Sequence, residues 1–270
     1  MSTVLITGGS RGIGRHLADG FAADGWNVIL TATDEARAAA AAQQIAQARG
    51  TRVIGVQLQA TDPTSVEALA QRTAEIEEQL GEPITTVINN AGVVESPEGP
   101  VWNVPAEQLM RTLDTNIRGP FLVVRAFAER LLETADTTGR ACRIIDLNSG
   151  SGAQGTPAYA AYSASKAALF RLADSVHVYG YDKGLRIFEM APGVIESDMT
   201  GSMAMHDWRG SSDWTDPEDV AALALALASG DLDAYSGRFV RAGLDTPDSL
   251  AETAAAGLAD DFRRLAVRMD

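Results

Sequence analysis

The chain is short of everything that would staple it, load it with metal or hold it on a membrane. It has a single cysteine, Cys142, so no internal disulfide can form. The place of Cys142 in an apolar run reads as a small core residue rather than a reactive thiol. Its three histidines, His16, His177 and His206, lie far apart without metal-ligand spacing, and no metal site is expected. Positive charge is scarce: 22 Lys and Arg stand against 36 Asp and Glu, a formal net charge of -14 spread along the chain. That excess argues against nucleic acid and anionic membrane as partners. No apolar run is long enough to span a bilayer. A strand-like run starts at Thr3 and leaves no room for a signal peptide, so a cytoplasmic protein is the expectation. No linker, low-complexity tract or period divides the 270 residues, and 46% hydrophobic content suits one large core.

What is present is a regular alternation. Thr3 to Thr7 is β-branched and aliphatic, the pattern of a buried strand. It runs into Gly8-Gly9-Ser10-Arg11-Gly12-Ile13-Gly14 and then a helical pattern. Glycines there permit a tight turn, let the backbone approach a pyrophosphate and let the helix pack closely on the strand. The helix start offers N–H groups and a positive dipole end to phosphate; a plain strand-to-helix connection is the alternative. Further strands are expected at Trp26–Thr31, Arg52–Leu58, Ile84–Asn89, Arg143–Asn148, Leu185–Met190 and Arg238–Arg241. Asp62-Pro63 and Asp216-Pro217 are cap-and-proline helix starts. Pro105 to Glu133 reads as helical, in one or two pieces, with Asn116 inside it, and a long helix is expected from about Ala158 to Tyr181. The alternation predicts an α/β fold: a doubly wound parallel sheet of about seven strands, with helices on both faces, the Rossmann arrangement. It would occupy 1–245, followed by a helical extension over 246–270.

In that fold the end of the second strand meets the adenosine ribose, where an acid would bind the 2′-hydroxyl and repel a 2′-phosphate. Here the tip reads Thr31-Ala32-Thr33, and Arg11 is a cation placed where a 2′-phosphate could sit. NADP is therefore favoured over NAD. The alternative has Arg11 solvated and Asp34 turned to the ribose, although Asp34 also suits the cap of the helix that follows.

Tyr162 and Lys166 are four apart and share a helix face. A tyrosine phenol, with a pKa of about 10, is a poor acid–base catalyst until a neighbouring ammonium lowers it. It can then give a proton to a carbonyl oxygen or take one from an alcohol. Ser149, thirteen residues earlier, would need only to reach the same oxygen. A surface Tyr and Lys on an amphipathic helix is the bland alternative.

Taken together, Thr7-Gly8-x-x-x-Gly12-x-Gly14, Asn89-Asn90-Ala91-Gly92, Asn116, Ser149, Tyr162-x-x-x-Lys166 and Pro192-Gly193 resemble the short-chain dehydrogenase/reductase family, from Thr7 to about Gly243. Thr31-Ala32-Thr33 and the run Ala191 to Thr200 look most like its 3-oxoacyl-carrier-protein reductase branch. The resemblance implies a catalytic set of Asn116, Ser149, Tyr162 and Lys166. Tyr162 would be the general acid in reduction, and Ser149 would hold the substrate oxygen. Lys166 would lower the Tyr162 pKa and bind the nicotinamide ribose. Asn116 would bend its helix and hold a water that refills the proton through Lys166. The resemblance implies a cofactor turn of Gly8, Ser10, Arg11, Gly12, Ile13 and Gly14. Thr33, Gln59 and Ala60 would serve the adenosine, with Asn90, Ala91 and Gly92 on its ribose side. Tyr162, Lys166, Pro192, Gly193, Ile195 and Ser197 would serve the nicotinamide end.

The chain departs from the family at Gln59-Ala60, where an Asp is usual; at Phe188, where an Asn is common; and at Ala242-Gly243-Leu244-Asp245 in place of Asp-Gly-Gly. Beside Phe188 stands Glu189, an acid in a central strand with no partner evident in the sequence.

The expected substrate is an apolar ketone or aldehyde, reduced by NADPH to an alcohol, under a lid over about 199–215. Met199, Met203, Met205, Trp208 and Trp214 would supply its apolar surface, with His206, Arg209 and a wall at Trp102. Ordinary packing under a loop is the even alternative. A 3-oxoacyl thioester is a second substrate class, with Arg125, Arg130 and Arg171 as a basic patch for an acidic carrier or as plain exposed helix charges. A non-catalytic NADP-binding scaffold or sensor and an NAD-dependent alcohol dehydrogenase running oxidatively are the other readings. Phe262, Leu265 and Val267 are expected on one face of a C-terminal helix. Similar proteins imply a homodimer or homotetramer.

Overall fold

In the computed structural model of the chain, which describes residues 2–197, 200–210 and 213–267, the apolar runs become parallel strands and the amphipathic stretches cover them. The elements run β1 (Thr3–Ile6), α1 (Gly12–Ala23), β2 (Asn27–Ala32), α2 (Glu35–Arg49), β3 (Val53–Gln57), α3 (Pro63–Leu80), β4 (Ile84–Asn89), α4 (Ala106–Leu113), α5 (Gly119–Thr138), β5 (Cys142–Leu147), α6 (Gly150–Ala153), α7 (Ala160–Gly180), β6 (Leu185–Ala191), α8 (Pro217–Ser229), β7 (Phe239–Arg241) and α9 (Pro247–Ala256). Helix starts follow the cap chemistry. Asp34, Asp62 and Asp216 accept from the first-turn N–H groups of α2, α3 and α8, and Thr246 with Ser249 closes a capping box on α9.

The sheet order is β3-β2-β1-β4-β5-β6-β7, parallel throughout. Winding reverses between β1 and β4, so the crevice beyond their carboxyl ends is where a ligand binds in such sheets. One face is packed by Leu17 and Phe21 of α1, Ile45 of α2 and Leu223 of α8. The other is packed by Leu69 of α3, Phe127 of α5 and Leu169 of α7. Cys142 is buried in β5, where burial pushes its thiol up to about 11.

The C-terminal stretch departs from expectation. Helix ends at Ala256, and Phe262 and Leu265 lie beyond it in irregular chain, while Val267 is 86% exposed. The tail instead runs along the outer edge of β7. Phe239 N–H donates to the Arg263 carbonyl at 2.9 Å, and Arg263 reaches back to Asp245. A strand edge left open is a template for unwanted pairing, and this one is covered.

A second long-range tie joins β5 to the loop before β7. Arg143 grips Asp233 through two bonds of 3.0 Å, with Arg186 alongside at 3.6 Å. Removing the charge would leave a largely buried guanidinium short of its partner. Asp233→Asn is therefore expected to cost about 1–3 kcal/mol, read as a lower urea midpoint with an unchanged slope.

Candidate active site

β5 delivers Asn148 and Ser149 to the carboxyl edge of the sheet. Ser149 caps the short α6, its Oγ accepting from Ser151 N–H at 3.2 Å. The Tyr162 phenol lines the same cavity as that serine. Tyr162 is set in place from below. The start of α7 is capped by Glu95, a residue 1% exposed, whose carboxylate accepts from the Ala161 and Tyr162 N–H groups at 2.7 and 3.0 Å. An acid at a helix N-terminus is favoured by the dipole as well as by the bonds. Just before it Tyr159 takes a left-handed conformation, φ 60°, which costs about 1–2 kcal/mol. Its hydroxyl donates to Glu98 at 2.6 Å, and Glu98 also accepts from Met205 N–H at 3.3 Å.

One turn along, Lys166 donates from Nζ to the Leu147 carbonyl at 2.5 Å and lies 5.6 Å from the centre of the Tyr162 ring. Burial brings its ammonium down to about 8, opposed by Glu189 and Asp146. The phenol moves the other way. Burial raises it, the Ser149 hydrogen bond lowers it, and Glu95 raises it further. The spacing argument expects Lys166 to pull the phenol down; here burial outweighs any such effect, and the lysine is the group brought down.

Asn116 also differs from expectation. It sits in a π-helical turn, Asp114–Arg118, between α4 and α5, so the helix is widened there. Its carboxamide is spent on Val93, accepting from N–H at 2.9 Å and donating to the carbonyl at 2.8 Å, and on Ser165 at 3.1 Å. The side chain pins the loop after β4.

A cavity of about 300 Å³ opens beside Ser149 and Tyr162, bounded by Ile13, Pro192, Gly193, Ile195 and Ser197 on one side and by Met203, Met205 and His206 on the other. Arg241, at the end of β7, reaches its wall beside Gly150. Lys166 and Asn116 are buried and do not line it. Trp102 and Trp208 do not join it; they are 82% and 69% exposed. Met199 lies outside the described residues. Arg125, Arg130 and Arg171 form no basic patch, since each is paired with an acid: Glu67, Glu77 and Asp174.

The glycine turn leads away from the cavity at Ile13. Gly12 holds φ +54° with open space where a β-carbon would stand, and Arg11 puts no side-chain cap on the first N–H groups of α1. A β-carbon at Gly14 would lie 2.4 Å from Asn90 Nδ2 and 2.5 Å from the Gly8 carbonyl. This is the arrangement that suits a pyrophosphate. Asn90 acts as a strut beneath it, donating to the Thr7 and Gly8 carbonyls at 2.8 and 3.1 Å. Thr33, Gln59 and Ala60 lie beyond, after β2 and β3, and Ala91 and Gly92 follow β4. Asp34 turns to α2, accepting from Arg37 N–H at 2.7 Å.

Sequence reasoning missed Glu95, Glu98, Tyr159 and Asn148. The two acids sit in a Pro- and Gly-containing loop and read as solvated charge, and nothing local marks them as caps and ties. Among the described residues no helix is long and apolar enough to cross a membrane, and no cluster of His, Cys, Asp and Glu could hold a metal ion.

Residues 2–208 match the family model described as short chain dehydrogenase. The chain is 33% identical to 1-deoxy-11-beta-hydroxypentalenate dehydrogenase of Streptomyces exfoliatus, over 84% of this chain and 79% of that protein. It is 32% identical to 3-oxoacyl-(acyl-carrier-protein) reductase of Escherichia coli, over 74% of this chain and 76% of that one. Among solved structures it superposes on 3-ketoacyl-(acyl-carrier-protein) reductase from Brucella melitensis complexed with NADH, with a TM-score of 0.78, at 23% identity, over 89% of this chain and 96% of the other. Fold, motif order and these matches agree: the chain belongs to the short-chain dehydrogenase family of oxidoreductases.

Proposed function

We propose that the chain is an NADP-dependent reductase that converts a ketone or aldehyde to an alcohol. The observation that carries this reading is a phenol, Tyr162, that lines the cavity together with Ser149 and holds its proton at neutral pH, because burial raises its pKa above the ordinary value. A group that keeps its proton is suited to giving it to a developing alkoxide. The dinucleotide, when bound, supplies the hydride to the carbonyl carbon. Tyr162 gives its proton to the carbonyl oxygen, and Ser149 donates a hydrogen bond to the same oxygen as charge builds there. Lys166, charged and behind the phenol, stabilises the phenolate left behind.

NADP is supported by a β2 tip without an acid, because Asp34 is committed to capping α2. Arg11, exposed at the start of α1, is the cation assigned to the 2′-phosphate. Arg11→Ala is expected to raise KM for NADPH about tenfold or more and to leave KM for NADH nearly unchanged. Equal effects on both cofactors would remove Arg11 from that role.

Met203 and Met205 favour a substrate with an apolar body, and Gln154 and Arg241 add a polar corner to the cavity. The segment around them is assigned as the lid, tied down through Glu98. A 3-oxoacyl thioester remains the second reading, favoured by likeness to the Escherichia coli reductase. Exposed Phe121 on α5 and Val178 and Tyr179 on α7 support assembly through those helices, as a homodimer or homotetramer. The direct test is an NADPH- and NADH-oxidation screen over ketones, aldehydes and oxoacyl thioesters. Turnover with NADPH on apolar carbonyls is the expected result; no turnover on any panel would overturn the reading.

A further inference from the structure

β4, β5 and β6 set three polar side chains abreast on the sheet face that α7 covers. Asn89 is the register partner of Asp146, and Asp146 of Glu189. Both acids are 0% exposed. Carboxyls on adjacent strands stand about 5 Å apart at the backbone, and two such groups in an apolar interior do not both ionise.

The hydrogen bonds locate the proton. Asn89 Nδ2 donates to Asp146 Oδ1 at 2.7 Å, and Asn148 Nδ2 donates to Glu189 Oε2. The two remaining oxygens, Asp146 Oδ2 and Glu189 Oε1, are buried without a partner when both carboxyls are bare acceptors. A single proton between the carboxyls satisfies both oxygens at once. Burial raises both carboxyls, and the Asp146 charge raises Glu189 further, so the pair holds one proton between Asp146 Oδ2 and Glu189 Oε1 and carries one negative charge.

Among the described residues, Lys166 is the cation that acts on this charge. α7 contributes Lys166, β7 contributes Phe239 as the register partner of Glu189, and α5 packs Val123 and Phe127 on the same face. From the side of Lys166, the acids that oppose its discharge are Glu189 and Asp146. Asn148 links the pair to the reacting groups. It donates to Glu189 and to the Lys166 carbonyl at 3.1 Å, and its Oδ1 accepts from Ser149 N–H at 2.7 Å.

We propose that Asp146 and Glu189 share one proton and act as a single buried negative charge that keeps Lys166 charged behind Tyr162. They are positioning residues, acting through Lys166 and Asn148. The consequence for turnover rests on the reductase reading above; the shared proton and its hold on Lys166 do not.

The chain holds only two lysines, Lys166 and Lys183. Full-length protein with side-chain-labelled lysine therefore gives an NMR titration of Lys166 with exposed Lys183 as an internal control. In Glu189→Gln or Asp146→Asn alone, the surviving carboxyl keeps the charge, and the Lys166 midpoint is expected to stay within about 0.3 pH unit of wild type. In the double variant the midpoint is expected to fall by about one pH unit or more, with Lys183 unmoved. Single substitutions that each lower the midpoint, and sum in the double variant, would show two separate charges and overturn the proposal. A double variant with an unmoved midpoint would overturn it too.

A second readout stands if the double variant does not fold. The native pair keeps a proton that the unfolded carboxyls release, so wild-type stability should fall as pH rises from about 4 toward 7. Either single amide should flatten that slope, because one remaining carboxyl needs no shared proton. A slope that persists in both single variants would overturn the proposal. Neither readout requires turnover, so an enzyme that reduced nothing would leave them intact.

Discussion

Tyr162→Phe is expected to slow carbonyl reduction by about 10³-fold while leaving NADPH affinity within about twofold of wild type. The substitution removes one oxygen and little else. The ring keeps its place, because Glu95 holds the residue through its backbone N–H and not through the phenol. Ser149 keeps its hydroxyl, so part of the stabilisation of the reacting oxygen survives and activity does not fall to that of solution. What is lost is the proton donor. Its neighbours are otherwise engaged: Lys166 is turned to the Leu147 carbonyl, the phenol of Tyr159 is bound to Glu98, and His206 on the other side of the cavity accepts from Arg209 at 3.3 Å. Steady-state reduction together with a fluorescence titration of NADPH separates the outcomes. A scaffold that merely binds the dinucleotide would show no functional change, and a Phe variant with near wild-type turnover would show that the proton comes from elsewhere.

The sheet was legible because each strand is an apolar run bounded by turn chemistry. Ile84–Asn89 is found where its β-branched residues put it, and the other strands shift by a residue or two at their ends. The placement of the candidate trio was legible for the same local reason: four residues separate Tyr162 from Lys166 on α7, and Ser149 follows a strand end. What was not legible depends on register between distant segments. Glu95 caps a helix that begins 65 residues later; a loop acid carries no sign of that. The partner of Glu189 is Asp146, and only the alignment of β5 with β6 brings the two side by side. The aromatic wall failed for a related reason. Composition says that Trp102 and Trp208 want cover, but the direction each loop presents its side chain is fixed by backbone geometry, and both end in solvent. Asn116 stands in a π-helical turn within the stretch expected to be helical in one or two pieces, and its carboxamide found partners in Val93 and Ser165 that no spacing rule indicates.

Gly152→Ala is expected to lower kcat about 10²-fold without direct contact with any reacting atom. A β-carbon there would lie 2.7 Å from the carbonyl carbon of Lys166 and 2.9 Å from both its Cβ and its carbonyl oxygen. Those atoms belong mostly to the α7 backbone, which does not swing aside, so α6 and α7 must separate by several tenths of an ångström. The two helices carry opposite halves of the site: Ser149 opens α6, and Tyr162 and Lys166 ride on α7. The crowded carbonyl is also the acceptor for Asn148, which fixes Ser149. Small displacements of positioned groups cost rate steeply, and the overpacking itself should cost about 1–3 kcal/mol of stability. KM for the dinucleotide should change little, since Ile13 and Gly193 border the cavity away from the α6–α7 contact. Gly155→Ala is the control, because a β-carbon at Gly155 meets nothing within 4 Å. Full turnover in Gly152→Ala, with Gly155→Ala also silent, would mean that the Ser149 hydroxyl takes its position from the strand end alone and not from the closeness of α6 to α7.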